Sequence, residues 1–219
     1  IKLLIRKNRY EKYLEIGVNT PAQPGFNFKN IDTPVKHGVD PAVDTTFKMT
    51  SDEFFDKCIN IKYDLIFVDG LHVFDQTYRD IKNSLKWLEN NGTIVVHDCN
   101  PTNEITQRPD RASSIWHGDV WKAILKLRME QADIQVYTVD ADEGCAIITK
   151  GSQELYIPEK DIDPFVYEYF DTHRKKILNL ISIKEFKAKF GEDTTILEQI
   201  KIFAIKIKNQ IRLLIQEIS

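Results

Sequence analysis

Two apolar runs, Leu65-Ile-Phe-Val68 and Ile94-Val-Val96, lie one helix length apart, and each ends abruptly in ionisable side chains. Uninterrupted β-branched and aromatic runs of this length read as strands covered on both faces, the pattern of a parallel sheet. A parallel pair needs a crossover, and residues 74–89 supply a helix, with Tyr78, Ile81, Leu85 and Leu88 at helical spacing. Open sheets of this kind present ligand-handling side chains at the carboxyl ends of their strands. Two adjacent ends here carry Asp69, His72, His97 and Asp98. Two carboxylates and two imidazoles in one crevice can hold a divalent cation and move a proton.

The rest of the chain alternates in the same way. Residues 1–12 read as a basic helix and 13–18 as a strand that ends in a turn at Gly17. Residues 19–27 are rich in Pro, Gly and Asn, and Pro21 and Pro24 bar a regular helix before about Phe26. Second and third strands are expected at 35–40 and 45–49. Thr50 or Ser51 can cap the helix that follows, whose first turn is acidic. Asn90-Asn91-Gly92 reads as the turn that closes helix 74–89, ahead of a fifth strand at 93–97. Residues 99–115 form a polar loop long enough to serve as a lid or substrate loop. A helix follows at 118–128, and then two strands at 134–140 and 144–150, close enough to be an antiparallel pair. The fold class is therefore α/β: a doubly wound, Rossmann-like sheet over residues 1–150. Residues 151–219 read as a C-terminal helical extension. Its last helix carries Ile200, Phe203, Ile207, Ile211, Leu214 and Ile218 as a seam. That seam either packs on its own domain or joins two copies as a homo-oligomer.

Bulk properties exclude some classes. With 219 residues the chain can build one α/β domain with a full core. A net charge of -3 gives no electrostatic reason to expect a nucleic-acid partner. No apolar run approaches the roughly 18 residues that span a bilayer, and residues 1–7 are too short and too charged for a signal peptide. Cys58, Cys99 and Cys145 are odd in number and widely spaced, which suits a reducing cytoplasm better than a disulfide framework or a zinc motif. The chain opens on Ile1, so an upstream segment is expected.

The order Leu14-Glu15-Ile-Gly17, Gly38-Val-Asp40-Pro, Asp69-Gly-Leu-His72 and Gly92-Thr-Ile-Val-Val-His97-Asp98 resembles class I S-adenosylmethionine-dependent methyltransferases. The likeness is greatest to the branch with a DGxH motif after strand four and an HD pair after strand five, many of whose members are sugar or natural-product O-methyltransferases. It covers roughly residues 13–150. One departure stands out: Gly17 is followed by Val18-Asn19-Thr20-Pro21, whereas the usual loop after strand one has several glycines and opens a helix.

The resemblance assigns roles, and each has a plainer alternative. Asp40 would accept hydrogen bonds from the cofactor ribose, or is a turn residue before Pro41. Glu15 would orient the first loop or receive the cofactor ammonium. Gly17 belongs to that loop. Ser51 and Asp52 sit where this fold places adenine contacts, and helix capping accounts for both equally well. Asp69 and Asp98 would hold Mg²⁺ or Mn²⁺ with His97, or they contact the cofactor in a metal-free enzyme. His72 would take the acceptor proton, or it caps the helix at 74. His37 and His117 read as structural or solvent-exposed, and Trp116 and Trp121, which flank the long loop, would either stack on a sugar ring or be buried in the core. The function implied is transfer of a methyl group from S-adenosylmethionine to a hydroxyl, on a sugar of a glycan or small glycosylated molecule. The alternatives are a non-catalytic domain of a glycan-assembly protein and a nucleotide-dependent oxidoreductase. The absence of GxGxxG after strand one argues against the oxidoreductase.

Overall fold

The computed structural model describes residues 1–20, 27–57 and 61–191. Its elements in chain order are α1 (Lys2–Asn8), β1 (Lys12–Ile16), β2 (Val35–Val39), α2 (Ser51–Lys57), β3 (Tyr63–Val68), α3 (Phe74–Trp87) and β4 (Leu88–Val96), then α4 (Val120–Glu130), β5 (Ile134–Val139), β6 (Cys145–Lys150), α5 (Tyr167–Ile177), β7 (Leu180–Ile181) and α6 (Ile183–Phe190). A short 3-10 turn occupies Phe28–Asn30. The strands form one mixed sheet of seven in the order β2-β1-β3-β4-β6-β5-β7. β1 pairs in parallel with β2 and β3, β3 with β4, and β5 with β7, while β6 runs antiparallel between β4 and β5.

Strand alternation divides the core between two faces. Leu14, Ile16, Ile66, Val68, Ile94 and Val96 point to one side, under Phe54, Ile81, Trp121, Ile124 and Phe170 from the helices. Tyr13, Leu65, Phe67 and Val95 point to the other, under Leu4 of α1, Ile31 and the partly buried Phe186 of α6. Both faces are covered, so β3 carries an unbroken apolar run. At about 1.5–3 kcal/mol for each fully buried aliphatic or Phe side chain, this two-sided burial is the main stabilising term. The segment beyond residue 150 shares in it: Trp121 is fully buried with its ring centroid 4.3 Å from that of Phe170, and β7 extends the sheet.

Three expectations are corrected. The third strand at 45–49 is reduced to a single bridge between Val39 and Phe47. Phe47 bonds Gly38 and Asp40 through its backbone and packs on His37 and Phe54, but Met49 N then turns back to Phe47 O at 3.0 Å and leaves the sheet. Asn90-Asn91-Gly92 does not end a helix. α3 stops at Trp87, Leu88 is already extended at φ -83 and ψ 135, and β4 starts there. Leu88 opposes Tyr63 and Thr93 opposes Leu65, so residues 89–92 bulge out against Asp64 alone. The C-terminal extension from residue 151 is not helical throughout its described part, because β7 separates α5 from α6. The expectations for Pro21 and Pro24 and for the seam at 200–218 fall outside the described residues.

Candidate active site

The ends of β2, β1, β3 and β4 lie side by side because the ladder continues past the strands. Gly17 N donates to Val39 O, Asp69 N to Ile16 O and His97 N to Val68 O, at 2.9, 2.9 and 3.1 Å. Gly17 has φ +83, and a Cβ there would lie 2.2 Å from Asp69 O. The loop after β1 thus passes directly against the Asp69 backbone, which no larger residue permits. Gly118 plays the same part beneath His72: its φ is +62, and a Cβ would meet His72 O at 1.7 Å.

A cavity of about 950 Å³ runs along these strand ends. Glu15 and Gly17 lie on its wall, with Asp40, Val43 and Ser51 among its other residues, and Asp69, His72, His97 and Asp98 also line it. His72 is wedged between the two carboxylates. Its Nε2 lies 3.4 Å from Asp69 Oδ1, and its Nδ1 lies 3.0 Å from Asp98 Oδ2 but too far off line for a hydrogen bond. Trp116 stacks on the His72 ring, with centroids 5.1 Å apart and planes 16° from parallel, and its Nε1 donates to Arg108 O. His97 Nδ1 lies 3.2 Å from Asp69 Oδ1 and 3.5 Å from Asp98 Oδ1, while its Nε2 faces Asp142 Oδ2 at 3.4 Å. Asp98 is buried and holds φ +58, a left-handed conformation that a non-glycine residue adopts only under constraint from its surroundings.

Charge explains the wedge. Burial works against the charged His72 ring, but Asp69 and Asp98 outweigh it and push His72 up to about 9. His97 is likewise opposed by burial and pushed up to about 12 by the same two carboxylates. Burial would raise Asp98 and Asp69, yet the two imidazoles hold both below the usual carboxylate range. At neutral pH the four groups therefore carry two positive and two negative charges. A divalent cation fits here: ligand atoms of Asp69, His72 and Asp98 all lie within 4.8 Å of one another. Cation and ring protons compete for the same carboxylates, so binding must release protons.

The remaining expected residues are distributed as follows. Glu15 is buried and hydrogen-bonded by Tyr13 Oη; burial, with Asp69 nearby, pushes it up to about 7 against that bond. Asp40 ends β2, and its Oδ1 accepts from Ala42 N and Val43 N at 2.8 and 3.1 Å, so one oxygen is spent on the turn before the helix. Thr50 caps α2 in a reciprocal box with Glu53, which leaves Ser51 on the cavity wall. Asp52 is drawn toward Arg79, 3.6 Å away, and lies outside that wall. His37 pairs with Tyr63 Oη, and His117 is buried 3.0 Å from Glu143. Of the two tryptophans flanking the loop, Trp121 is in the core. Asp119 starts α4 yet receives Phe74 N at 2.6 Å, and so caps α3 instead. Sequence reasoning missed Gln76, Asp80 and Asp142, all on the wall. Gln76 and Asp80 are four apart on α3, so a polar pair on the face turned toward α2 was the available signal.

Residues 4–99 match the family described as a methyltransferase domain. No curated protein matches the chain. Among solved structures it is similar to a protein from Staphylococcus aureus described as a caffeoyl-CoA O-methyltransferase, at 19% identity and a TM-score of 0.50, with 68% of this chain and 80% of that one covered. It is also similar to S-adenosylhomocysteine-bound PaMTH1 of Podospora anserina, at 18% identity, a TM-score of 0.47 and coverage of 68% and 75%. A third is MycE of the mycinamycin biosynthetic pathway, solved with Mg and S-adenosylhomocysteine, at 16% identity, a TM-score of 0.47 and coverage of 76% and 52%. At these identities the likeness is one of fold. That fold, a seven-stranded mixed sheet between helices, is the class I methyltransferase type.

Proposed function

We propose that this chain, a class I S-adenosylmethionine-dependent methyltransferase by its matched domain and its sheet, transfers the methyl group to a hydroxyl, most naturally one on a sugar of a glycan or small glycosylated molecule. The observation that carries this reading is the continuity of one cavity from Asp40 and Ser51 to the Asp69–His72–Asp98 cluster. The first end is built for a nucleoside and the second for chemistry at oxygen. Asp40 would accept from the ribose through Oδ2 while Oδ1 holds the turn, and ionised Glu15 would attract the cofactor ammonium. Gly17 lets the loop after β1 approach the cofactor's chain without a side chain between them.

Asp69 and Asp98 would hold a divalent cation, Mg²⁺ or Mn²⁺, with His97 completing the donors. Bound there, the cation would lower the pKa of the acceptor hydroxyl and offset the carboxylate charge. His72 is charged at neutral pH between two free carboxylates, so it serves as a base only once that field is relieved. It then accepts the hydroxyl proton at Nε2, the looser of its two contacts. Trp116 holds the ring plane and Gly118 supports its backbone. S-adenosylmethionine bound along this cavity would supply an activated methyl group to the acceptor oxygen, and the residues that align the two would supply much of the rate. Among the described residues, no helix is long and apolar enough to cross a membrane, and a small acceptor suits the open crevice.

Turnover of S-adenosylmethionine with candidate glycosylated acceptors, with and without EDTA, tests the proposal. Methyl transfer that stops in EDTA and in Asp69→Asn supports it. Full activity in both would remove the cation from the account.

A further inference from the structure

His97 turns Nδ1 toward Asp69 and Asp98. Its Nε2 points the other way, to Asp142 Oδ2 at 3.4 Å. Sheet register brings a third donor to the same place. Val96 opposes Ala146 in the antiparallel β4–β6 pair, so the next residues out along the ladder are His97 and Cys145. Directly opposite side chains share a face. The turn from β5 into β6, closed by Gly144 N donating to Ala141 O at 3.0 Å, carries Asp142 back over them, and the Cys145 thiol donates to Asp142 O at 4.0 Å. A ring nitrogen of His97, a carboxylate oxygen of Asp142 and Cys145 Sγ all lie within 4.8 Å of one another. Burial, the largest influence, pushes the Cys145 thiol up, so it is not poised as a nucleophile.

We infer that His97 Nε2, Asp142 and Cys145 form a second metal site beside the cavity, one for a thiophilic dication, Zn²⁺ foremost, rather than for the Mg²⁺ or Mn²⁺ assigned to Asp69 and Asp98. One nitrogen, one oxygen and one sulfur make a zinc donor set, and three protein ligands leave a fourth position to water. The spacing agrees: oxygen and nitrogen ligands about 2.0–2.1 Å from a tetrahedral centre stand about 3.3 Å apart, and His97 Nε2 and Asp142 Oδ2 are 3.4 Å apart. The supporting shell is also in place. With Nε2 on the metal, Nδ1–H donates to Asp69 Oδ1, 3.2 Å away, which fixes the tautomer and raises the basicity of Nε2 toward a cation as it does toward a proton. The metal takes the place of the Nε2 proton and the thiol proton, and both leave to solvent. A neutral imidazole offers one lone pair, so His97 serves one cation or the other. Zn²⁺ bound here withdraws the ring from the Asp69–Asp98 cation; this coupling, unlike the site itself, rests on the function proposed above.

The test is optical titration of the full chain with Co²⁺, with neither cofactor nor acceptor present, so that it stands apart from the methyl-transfer reading. Co²⁺ should give a near-ultraviolet thiolate-to-cobalt band together with the strong visible bands of a tetrahedral site, and Zn²⁺ should abolish both by displacement. Cys145→Ser should remove the thiolate band. Asp142→Ala, at a side chain 81% exposed and so without cost to the core, should loosen Zn²⁺ at least about tenfold, the least that loss of even an outer partner of a metal costs. Zn²⁺ should also weaken Mn²⁺ binding, read by water-proton relaxation, in the unaltered protein and not in Cys145→Ser. Absence of a thiolate band in the unaltered protein overturns the inference, and needs no variant to fold. So does a band that survives in folded Cys145→Ser, or Zn²⁺ affinity unchanged in Asp142→Ala. A thiolate band in a protein that binds no Mn²⁺ would uphold this site and overturn the cation at Asp69 and Asp98, whereas Mn²⁺ binding indifferent to bound Zn²⁺ would overturn the coupling through His97.

Discussion

Asp80 is 1% exposed and its Oδ2 has no hydrogen-bond partner among the described residues, which should cost the free protein stability in a pH-dependent way. Burial is the leading cause, opposed by the nearby Ser51 and Gln76, and it raises Asp80 from 3.8 to about 6. The unfolded chain releases this proton near pH 4, the folded one only near 6. Between those values the folded state binds more protons, so stability falls as pH rises through the window and is lowest above it. The full penalty, about 2 pKa units at 1.36 kcal/mol each, is about 3 kcal/mol above pH 7. At pH 4.5 the same linkage gives about 1 kcal/mol, so about 2 kcal/mol is gained between pH 4.5 and 7.5. Asp80→Asn cannot ionise. It carries its own cost, about 1–3 kcal/mol for a buried amide nitrogen in place of Oδ2, but that cost is the same at both pH values and cancels. Urea unfolding of both proteins at pH 4.5 and 7.5 measures the quantity. The variant should gain about 2 kcal/mol on the unaltered protein between the two conditions. An equal difference at both values would mean that Asp80 is ionised as easily in the fold as outside it, and would refute the burial argument.

Other outcomes follow from the site. Asp40→Asn keeps the turn made by Oδ1 but removes the charge offered to the ribose, and should weaken S-adenosylhomocysteine by about 1.5 kcal/mol in calorimetry. Unchanged affinity would move the ribose elsewhere. Glu15 is raised from 4.5 to about 7, burial being the leading cause, so affinity for this ammonium-bearing ligand should climb between pH 6 and 8 and level off above. Glu15→Gln should flatten that climb, and a flat profile in the unaltered protein would contradict the assignment. Gly118→Ala would drive a methyl group into His72 O, and should lower turnover at least about tenfold by misplacing the base while cofactor affinity holds. Comparable loss in both readouts would mean general unfolding instead.

The parallel half of the fold was legible because its strands are covered on both faces, so sequence pattern and burial coincide at residues 63–68 and 94–96. The third strand failed because its alternation is satisfied by one partly buried ring, Phe47, without a ladder. The Asn-Asn-Gly segment misled because the same residues that favour turns also favour bulges. At the site, Asp69, His72, His97 and Asp98 were legible from their place at strand ends. Their charge state was not: it comes from mutual distances of 3.0–3.5 Å that no spacing rule contains. A neutral His72 at pH 7 was the natural reading of a lone imidazole, and two carboxylates closing on it reverse that. Gln76 and Asp80 were missed because α2, which packs near them, is distant in sequence.

The central claim is that one cavity holds the nucleoside beside Asp40 and Ser51 and the reacting sulfur beside Asp69 and Asp98. Proton relaxation of bound S-adenosylhomocysteine, with Mn²⁺ added to the full chain, reads both ends at once. The methylene groups flanking sulfur should broaden first and most, the purine H2 least, and Asp69→Asn should abolish the broadening without releasing the ligand. Uniform broadening, strongest effects on the purine, or no effect of Mn²⁺ on a ligand that is demonstrably bound would contradict the account.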